Sequence, residues 1–302
     1  MFMILIKKID TECTNTSNFF IKKMENLPDY FKDNIKNYLI FKPKTKKELQ
    51  KAVDLWCEDK EEALNYYCHI SIWNTSLITD MSDLFKYKKD FNDDISGWDV
   101  SSVIHMNSMF NGAFLFNHPL NSWDVSSVTN MSYIFSRAYA FNQCLDSWNV
   151  SSVTDMGEMF HRAHSFNQPL DSWDVSSVSD MHAMFFGAFA FNQPLDSWDV
   201  SSVTIMSSMF DGASLFNQPM DSWDVSSVTS MQSMFYEAYS FNQPLNSWNV
   251  SSVTDMNYMF YNATLFNQQL DSWDISNVEN TSNILEKASS FDKNNAPWYN
   301  FD

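Results

Sequence analysis

The side chains best equipped for chemistry in this chain are six histidines and two rows of aspartates. His161 and His164 flank Arg162, and His182 lies in the next copy of the 25-residue repeat described below, so three imidazoles could converge on a metal ion. Their in-register equivalents three copies on are Tyr236, Tyr239 and Asn257, so these positions vary and carry no shared ligand set. One acidic row runs Asp99, Asp124, Asn149, Asp174, Asp199, Asp224, Asn249, Asp274; a second runs Asp146, Asp171, Asp196, Asp221 and Asp271. Paired carboxylates suit calcium, but the ligand-rich glycine loops of calcium-binding repeats are absent, and a solvated acidic face is expected instead. No glycine-rich phosphate loop, nucleophile elbow or HExxH motif occurs, and the chain holds only five glycines. The expectation is a protein without catalysis, metal or cofactor.

Positions that change from copy to copy are more informative, because packing fixes the others. One such column reads Phe114, Tyr139, His164, Phe189, Ser214, Tyr239, Thr264; another reads Asn111, Ser136, His161, Phe186, Asp211, Tyr236, Tyr261. Aromatic rings gathered on one surface suit contact with a partner. Phe114, Tyr139, His164, Phe189, Tyr239, Phe186, Tyr236 and Tyr261 are therefore the candidate partner-binding residues. The competing reading is that these rings pad a loop above the core.

The elements that must position these columns follow from periodicity. Tryptophan falls at 73, 98, 123, 148, 173, 198, 223, 248, 273 and 298, every 25 residues without a gap. A clean copy is FNQPLDSWDVSSVTIMSSMFDGASL, residues 191–215. Trp198 and Val200 alternate with Ser197 and Asp199, which predicts a short strand with Trp and Val inward. Met206, Met209, Phe210 and Ala213 follow at the spacing of one helix face, and Thr204 before them reads as an N-cap, as do Thr129, Thr154, Ser179, Thr229 and Thr254. The predicted fold is an α/β repeat solenoid of leucine-rich-repeat type: a right-handed stack with one short parallel strand and one short helix per turn. A single unit buries too little to fold alone, so like residues must meet across turns. Trp98, Trp123, Trp148, Trp173, Trp198, Trp223, Trp248 and Trp273 then form one structural ladder, and Asn117, Asn142, Asn167, Asn192, Asn217 and Asn242 another.

The ends differ from the array. Residues 1–23 read as a disordered or non-native leader, with Met24 an alternative start, and 24–65 as a helical N-terminal cap. Within that cap Thr45-Lys46-Lys47-Glu48 forms a capping box ahead of Leu49, Ala52, Val53 and Trp56 on one face. Residues 66–290 hold nine repeats, and 291–302 form a C-terminal cap in which Trp298 and Phe301 fold back over the stack. Charge is divided unevenly: 15 Lys/Arg against 14 Asp/Glu in residues 1–90, and 4 against 23 in residues 91–302. So acidic an array repels phosphate backbones, which argues against nucleic-acid binding. Cys13, Cys57, Cys68 and Cys144 lack a disulfide or zinc spacing. No apolar run is long enough to span a membrane, and MFMILIKK is a poor secretory signal, so a soluble intracellular monomer is expected, with the cell surface as the alternative.

The unit, FNQPLDSWDVSSVTDMSSMF in consensus, closely resembles the repeat of the BspA-like leucine-rich-repeat surface proteins, in its spacing, its Trp-Asp-Val and its Met-x-x-Met-Phe. The lead-in FKPKTKKELQKAV, with SLITDMSDLF after it, resembles the segment preceding the array in that family, so the resemblance covers about residues 41–300. It implies a binding or adhesion role. Three functions are thus open: a non-catalytic protein-interaction solenoid, with a protein or glycan partner; a surface-displayed adhesion protein; and an adaptor whose residues 24–40 form a reduced F-box-like helix starting at Leu27-Pro28.

Overall fold

The computed structural model describes residues 40–299. The expected leader, most of the F-box-like segment and Phe301 lie outside the described residues. Helix α1 (Lys46–Glu58) begins where the capping box predicts: Thr45 accepts the Glu48 N–H through its hydroxyl at 3.2 Å, and the Glu48 carboxylate reaches back to the Lys44 N–H at 2.7 Å. Its Leu49, Ala52, Val53 and Trp56 are buried. Helix α2 (Lys60–Tyr67) follows after Asp59, which closes α1 and caps α2. Together they cover the first turn of the array. The Trp73 ring meets Phe41, Trp56 and Tyr67 edge-on, with centroids 5.2, 6.0 and 6.0 Å away.

From there the 25-residue units stack in register. Parallel bridges join Asp80 to His105, His105 to Asn130, and so on through Asp155, Asp180, Ile205, Ser230, Asp255 and Asn280. The contents of each unit differ from the sequence expectation. Among the described residues no unit contains an α-helix or a strand longer than a single bridge. The anticipated strand at Trp198–Val200 is instead two tight turns, closed by Trp198 N–H to Leu195 O (3.1 Å) and Val203 N–H to Val200 O (2.9 Å). The ladder sits further along, at the residue after Thr204.

The anticipated helix is a chain of turns. Met209, Asp211 and Ala213 each donate to the carbonyl three residues back, whereas Met206, Ser208, Phe210 and Gly212 donate to Ser230, Gln232, Met234 and Tyr236 of the next unit. A helix would use every N–H internally and leave none to join the units. Two left-handed residues per unit break the helix and produce the alternation: the column Asp83, Ser108, Tyr133, Glu158, Ala183, Ser208, Ser233, Tyr258, Asn283, and the column Tyr87, Gly112, Arg137, Arg162, Gly187, Gly212, Glu237, Asn262, Lys287. Met206, Met209, Phe210 and Ala213 still face inward and are fully buried, so the apolar pattern was read correctly and its backbone was not. Thr204 is likewise no N-cap; its hydroxyl donates to Ser179 O in the preceding unit at 3.1 Å.

Side chains join the units where the backbone does not. From Trp98 onward each indole N–H reaches a carbonyl 28 residues before it, in the preceding turn: Trp148 to Leu120 (2.9 Å), Trp173 to Leu145 (3.0 Å), Trp198 to Leu170 (2.9 Å), Trp223 to Leu195 (2.9 Å). The adjacent serine does the same, as in Ser197 to Asp171 O at 2.8 Å. Three residues before each indole's acceptor carbonyl, Asn117, Asn142, Asn167, Asn192, Asn217 and Asn242 form a second ladder, each Oδ1 accepting the N–H of the next asparagine at 2.9 or 3.0 Å. Two files of phenylalanine stack through the core, for example Phe185 on Phe210 (5.6 Å) and Phe191 on Phe216 (6.0 Å). At the C-terminus Trp298 continues the column rather than folding back, with its N–H on Leu270 O at 2.7 Å and its ring over Trp273.

Replacing Trp198 by Phe keeps a ring, but a smaller one, and removes the indole N–H, leaving the Leu170 carbonyl only its turn bond from the Trp173 N–H at 3.1 Å. Stability is expected to fall by about 2–4 kcal/mol in denaturant unfolding. Asn192→Ala, which leaves the Asn217 N–H without its acceptor and the Gln218 amide with the Asn192 backbone carbonyl alone, is expected to cost about 1–3 kcal/mol, and Asn192→Asp less because it keeps an acceptor oxygen.

Candidate functional site

The candidate columns flank the second left-handed residue of each unit. Residues of the Phe186 column directly precede it, and residues of the Phe189 column follow two positions later. That bend leaves their side chains outside the core, where stacking of the units brings them into rows. Phe114, Tyr139, His164 and Phe189 form a continuous row, with centroids 4.6, 4.6 and 4.7 Å apart and rings within 27° of parallel. Phe189 ends that row and is 49% exposed. Ser214 interrupts it, and Tyr239 stands beyond, 40% exposed. In the other column His161 stacks on Phe186 (4.7 Å) and Tyr236 on Tyr261 (4.8 Å), with Asp211 between the two pairs. All eight candidate rings therefore lie on one surface, as two adjacent rows. Asn111 and Ser136, at the start of the second column, are buried and take no part.

Cations of the chain lie over several of these rings. Lys89 Nζ is 5.4 Å from the Phe114 ring, Arg162 Cζ 5.7 Å from Phe186, and Lys287 Nζ 4.7 Å from Tyr261, whose hydroxyl it also contacts. Each is at the distance of a cation–π contact.

Beside the rows lies a charged cluster of which sequence reasoning named the histidines, as a possible metal site, but not the carboxylates. The imidazole of His182 occupies the space left by Gly157 in the preceding unit, where a Cβ would fall 2.3 Å from its Cε1. There its Nδ1 bonds the Asp180 carboxylate at 2.8 Å and its Nε2 stands 3.8 Å from Glu158. The Asp180 bond, then Glu158, push the His182 pKa up to about 10. Against burial, which acts the other way, His182 holds both carboxylates below their usual range. His161, 3.7 Å from the same Glu158, moves oppositely: burial, over the pull of Glu158, lowers it to about 4. At neutral pH His182 is thus an imidazolium and His161 a neutral ring. The visible trace of this cluster was Gly157, one period before His182. His164, the third imidazole, belongs to the ring row and is lowered by burial. Among the described residues no group of three or more His, Cys, Asp or Glu is arranged to hold a metal ion.

The first acidic row closes turns. Asp124, Asp174 and Asp199 each accept the N–H and hydroxyl of the serine two residues on, and these bonds hold Asp124 and Asp174 below the ordinary carboxylate range. Among the described residues no helix is long and apolar enough to cross a membrane.

A family model described as "Mycoplasma protein of unknown function, DUF285" matches residues 58–155, 120–205, 141–226 and 191–298. These overlapping matches cover well over half of the chain and mark it as a repeat protein. No curated protein matches it.

His182 should leave a pH signature in stability. Its pKa is raised on folding, so its contribution is full below about 6.5, declines as the pH rises, and is gone above about 10. The difference in unfolding free energy between the wild type and His182→Gln is expected to shrink over that window; a constant difference contradicts the assignment.

Proposed function

The chain belongs to the DUF285 family, and from that premise we propose that it is a non-catalytic binding protein whose partner contacts the two rows of aromatic rings. Its architecture is then a right-handed solenoid related to the leucine-rich-repeat type, with tandem turns in place of the helical side. The single parallel bridge per unit supports that relation.

The observation that carries the binding reading is the location of the rings. Phe114, Tyr139, His164 and Phe189 lie outside a core already filled by two files of phenylalanine and one of tryptophan. Rings at such positions add little to packing, and aromatic side chains are the commonest anchors of protein interfaces. The array around them carries 4 basic against 23 acidic residues, which favours a basic polypeptide over nucleic acid. The resemblance of the unit to BspA-like surface repeats supports a second reading, adhesion at a cell surface, which requires export; fractionation of cells expressing the native gene separates the two.

The test is quantitative binding on an array of basic proteins and glycans, comparing wild type with Tyr139→Ser/Phe189→Ser and with the acidic-row control Asp199→Asn. Ligands of the wild type are expected to lose roughly tenfold or more in affinity with the double variant and to keep it with the control. Ligands indifferent to the double variant overturn the reading.

A further inference from the structure

Both ring rows are interrupted in the same unit. Phe186 is followed by Asp211 and then Tyr236, and Phe189 by Ser214 and then Tyr239. Within the rows each ring presents its faces to its neighbours at 4.6 to 4.8 Å, so a free face occurs only where a row stops. His161 and His164 cover one side of Phe186 and Phe189, and Tyr261 covers one side of Tyr236. Their other sides, with Tyr239, bound a gap one unit wide.

The floor of the gap is bare backbone. Gly187 and Gly212 follow Phe186 and Asp211 in adjacent units, both left-handed, and a Cβ on Gly212 would meet only the Gly187 backbone, at 3.6 Å or more. At its base stands the Asp211 carboxylate, half-buried, with no hydrogen bond or ion pair among the described residues. Glu237 adds a second negative charge in the next unit, and Arg162 is the cation that acts on Asp211. The Arg162 stem crosses Gly187 and its guanidinium lies by Phe186, while Phe189 and Tyr239 are both exposed. At the row ends Phe114, Tyr261 and Phe186 the chain supplies its own cation, Lys89, Lys287 and Arg162, whereas among the described residues no such cation lies over Phe189 or Tyr239.

We propose that this gap is a binding slot for one arginine side chain of a basic partner polypeptide, its guanidinium stacked between Phe189 and Tyr239 and paired with Asp211. The inference rests on the binding function proposed above and names its central contact. A guest in the missing layer stacks on the free face of Phe189 and meets Tyr239 in the next unit, which suits a planar cation that stacks by both faces; the tetrahedral ammonium of lysine cannot do so. The same plane offers a fork of N–H donors to a carboxylate. Burial, then the charge of Glu237, push the Asp211 pKa up to about 7, with Arg162 opposing, so the guest binds better as the pH rises through that value and Asp211 ionises.

The full chain is titrated by NMR with acetyl-Gly-Arg-Gly-amide and with its lysine and citrulline counterparts. The arginine peptide is expected to bind roughly tenfold or more tightly than either of the others, and more tightly with rising pH. Ser214→Phe fills the gap with the kind of ring found in register at Phe114 and Phe189, so it keeps the fold; it is expected to abolish the binding and to raise the melting temperature. Asp211→Asn, or Glu237→Gln should that variant not fold, is expected to weaken binding. Equal binding of arginine and citrulline or lysine peptides, binding that survives Ser214→Phe, or no binding at millimolar peptide each overturns the slot. None of these touches the wider binding reading, which Tyr139→Ser/Phe189→Ser tests through whole ligands.

Discussion

An indole N–H that finds its acceptor in the preceding turn is the constraint on which this molecule is built. The bond from Trp198 to Leu170 O recurs down the column, and it requires consecutive units to be the same length and in the same register. An inserted residue would move a tryptophan off its acceptor and leave the indole donor unpaired in the core, with the carbonyl keeping only the turn bond of its own unit. The unbroken spacing of ten tryptophans follows from this geometry. The asparagine ladder imposes the same register, and the core phenylalanines then stack ring on ring from unit to unit.

The turns supply what side chains cannot. A unit of 25 residues has many peptide groups to satisfy, and the alternation between inward and cross-unit bonds over residues 206–213 disposes of them without helix or sheet. It does so through left-handed residues, most of them not glycine. Arg137, Glu158 and Tyr133 adopt that conformation, which is unfavourable for each alone, because the bonds on both sides fix it.

This explains what could be read from the sequence. The stacking, the inward tryptophan and the asparagine column follow from spacing, since like residues one period apart must meet. The capping box at Thr45 was legible because its signal is local. The helix in each unit was misread because Met206, Met209, Phe210 and Ala213 have the spacing of a helix face and also that of successive tight turns. Only Gly112, Gly187 and Gly212 mark the left-handed column, and in other units a charged or polar residue occupies it. The His182 cluster was harder to see, because its partners come from different units and Gly157 acts only by being small. In the ring columns the rings were legible, but their arrangement was not: a stacked row hides its faces, and the chemistry moves to the interruptions at Asp211 and Ser214.

Distances between spin labels on the acidic face test the in-register stack most directly. Cysteines placed at Asp99, Asp174, Asp199 and Asp274, in a chain whose own cysteines are replaced, are labelled in pairs and measured by pulsed electron resonance. Separation is predicted to grow in proportion to the number of intervening units, by roughly 5 Å for each, the spacing of adjacent hydrogen-bonded chains. Distances that do not scale with unit number, or that cluster at one value for near and far pairs alike, contradict the ladder and the surface derived from it.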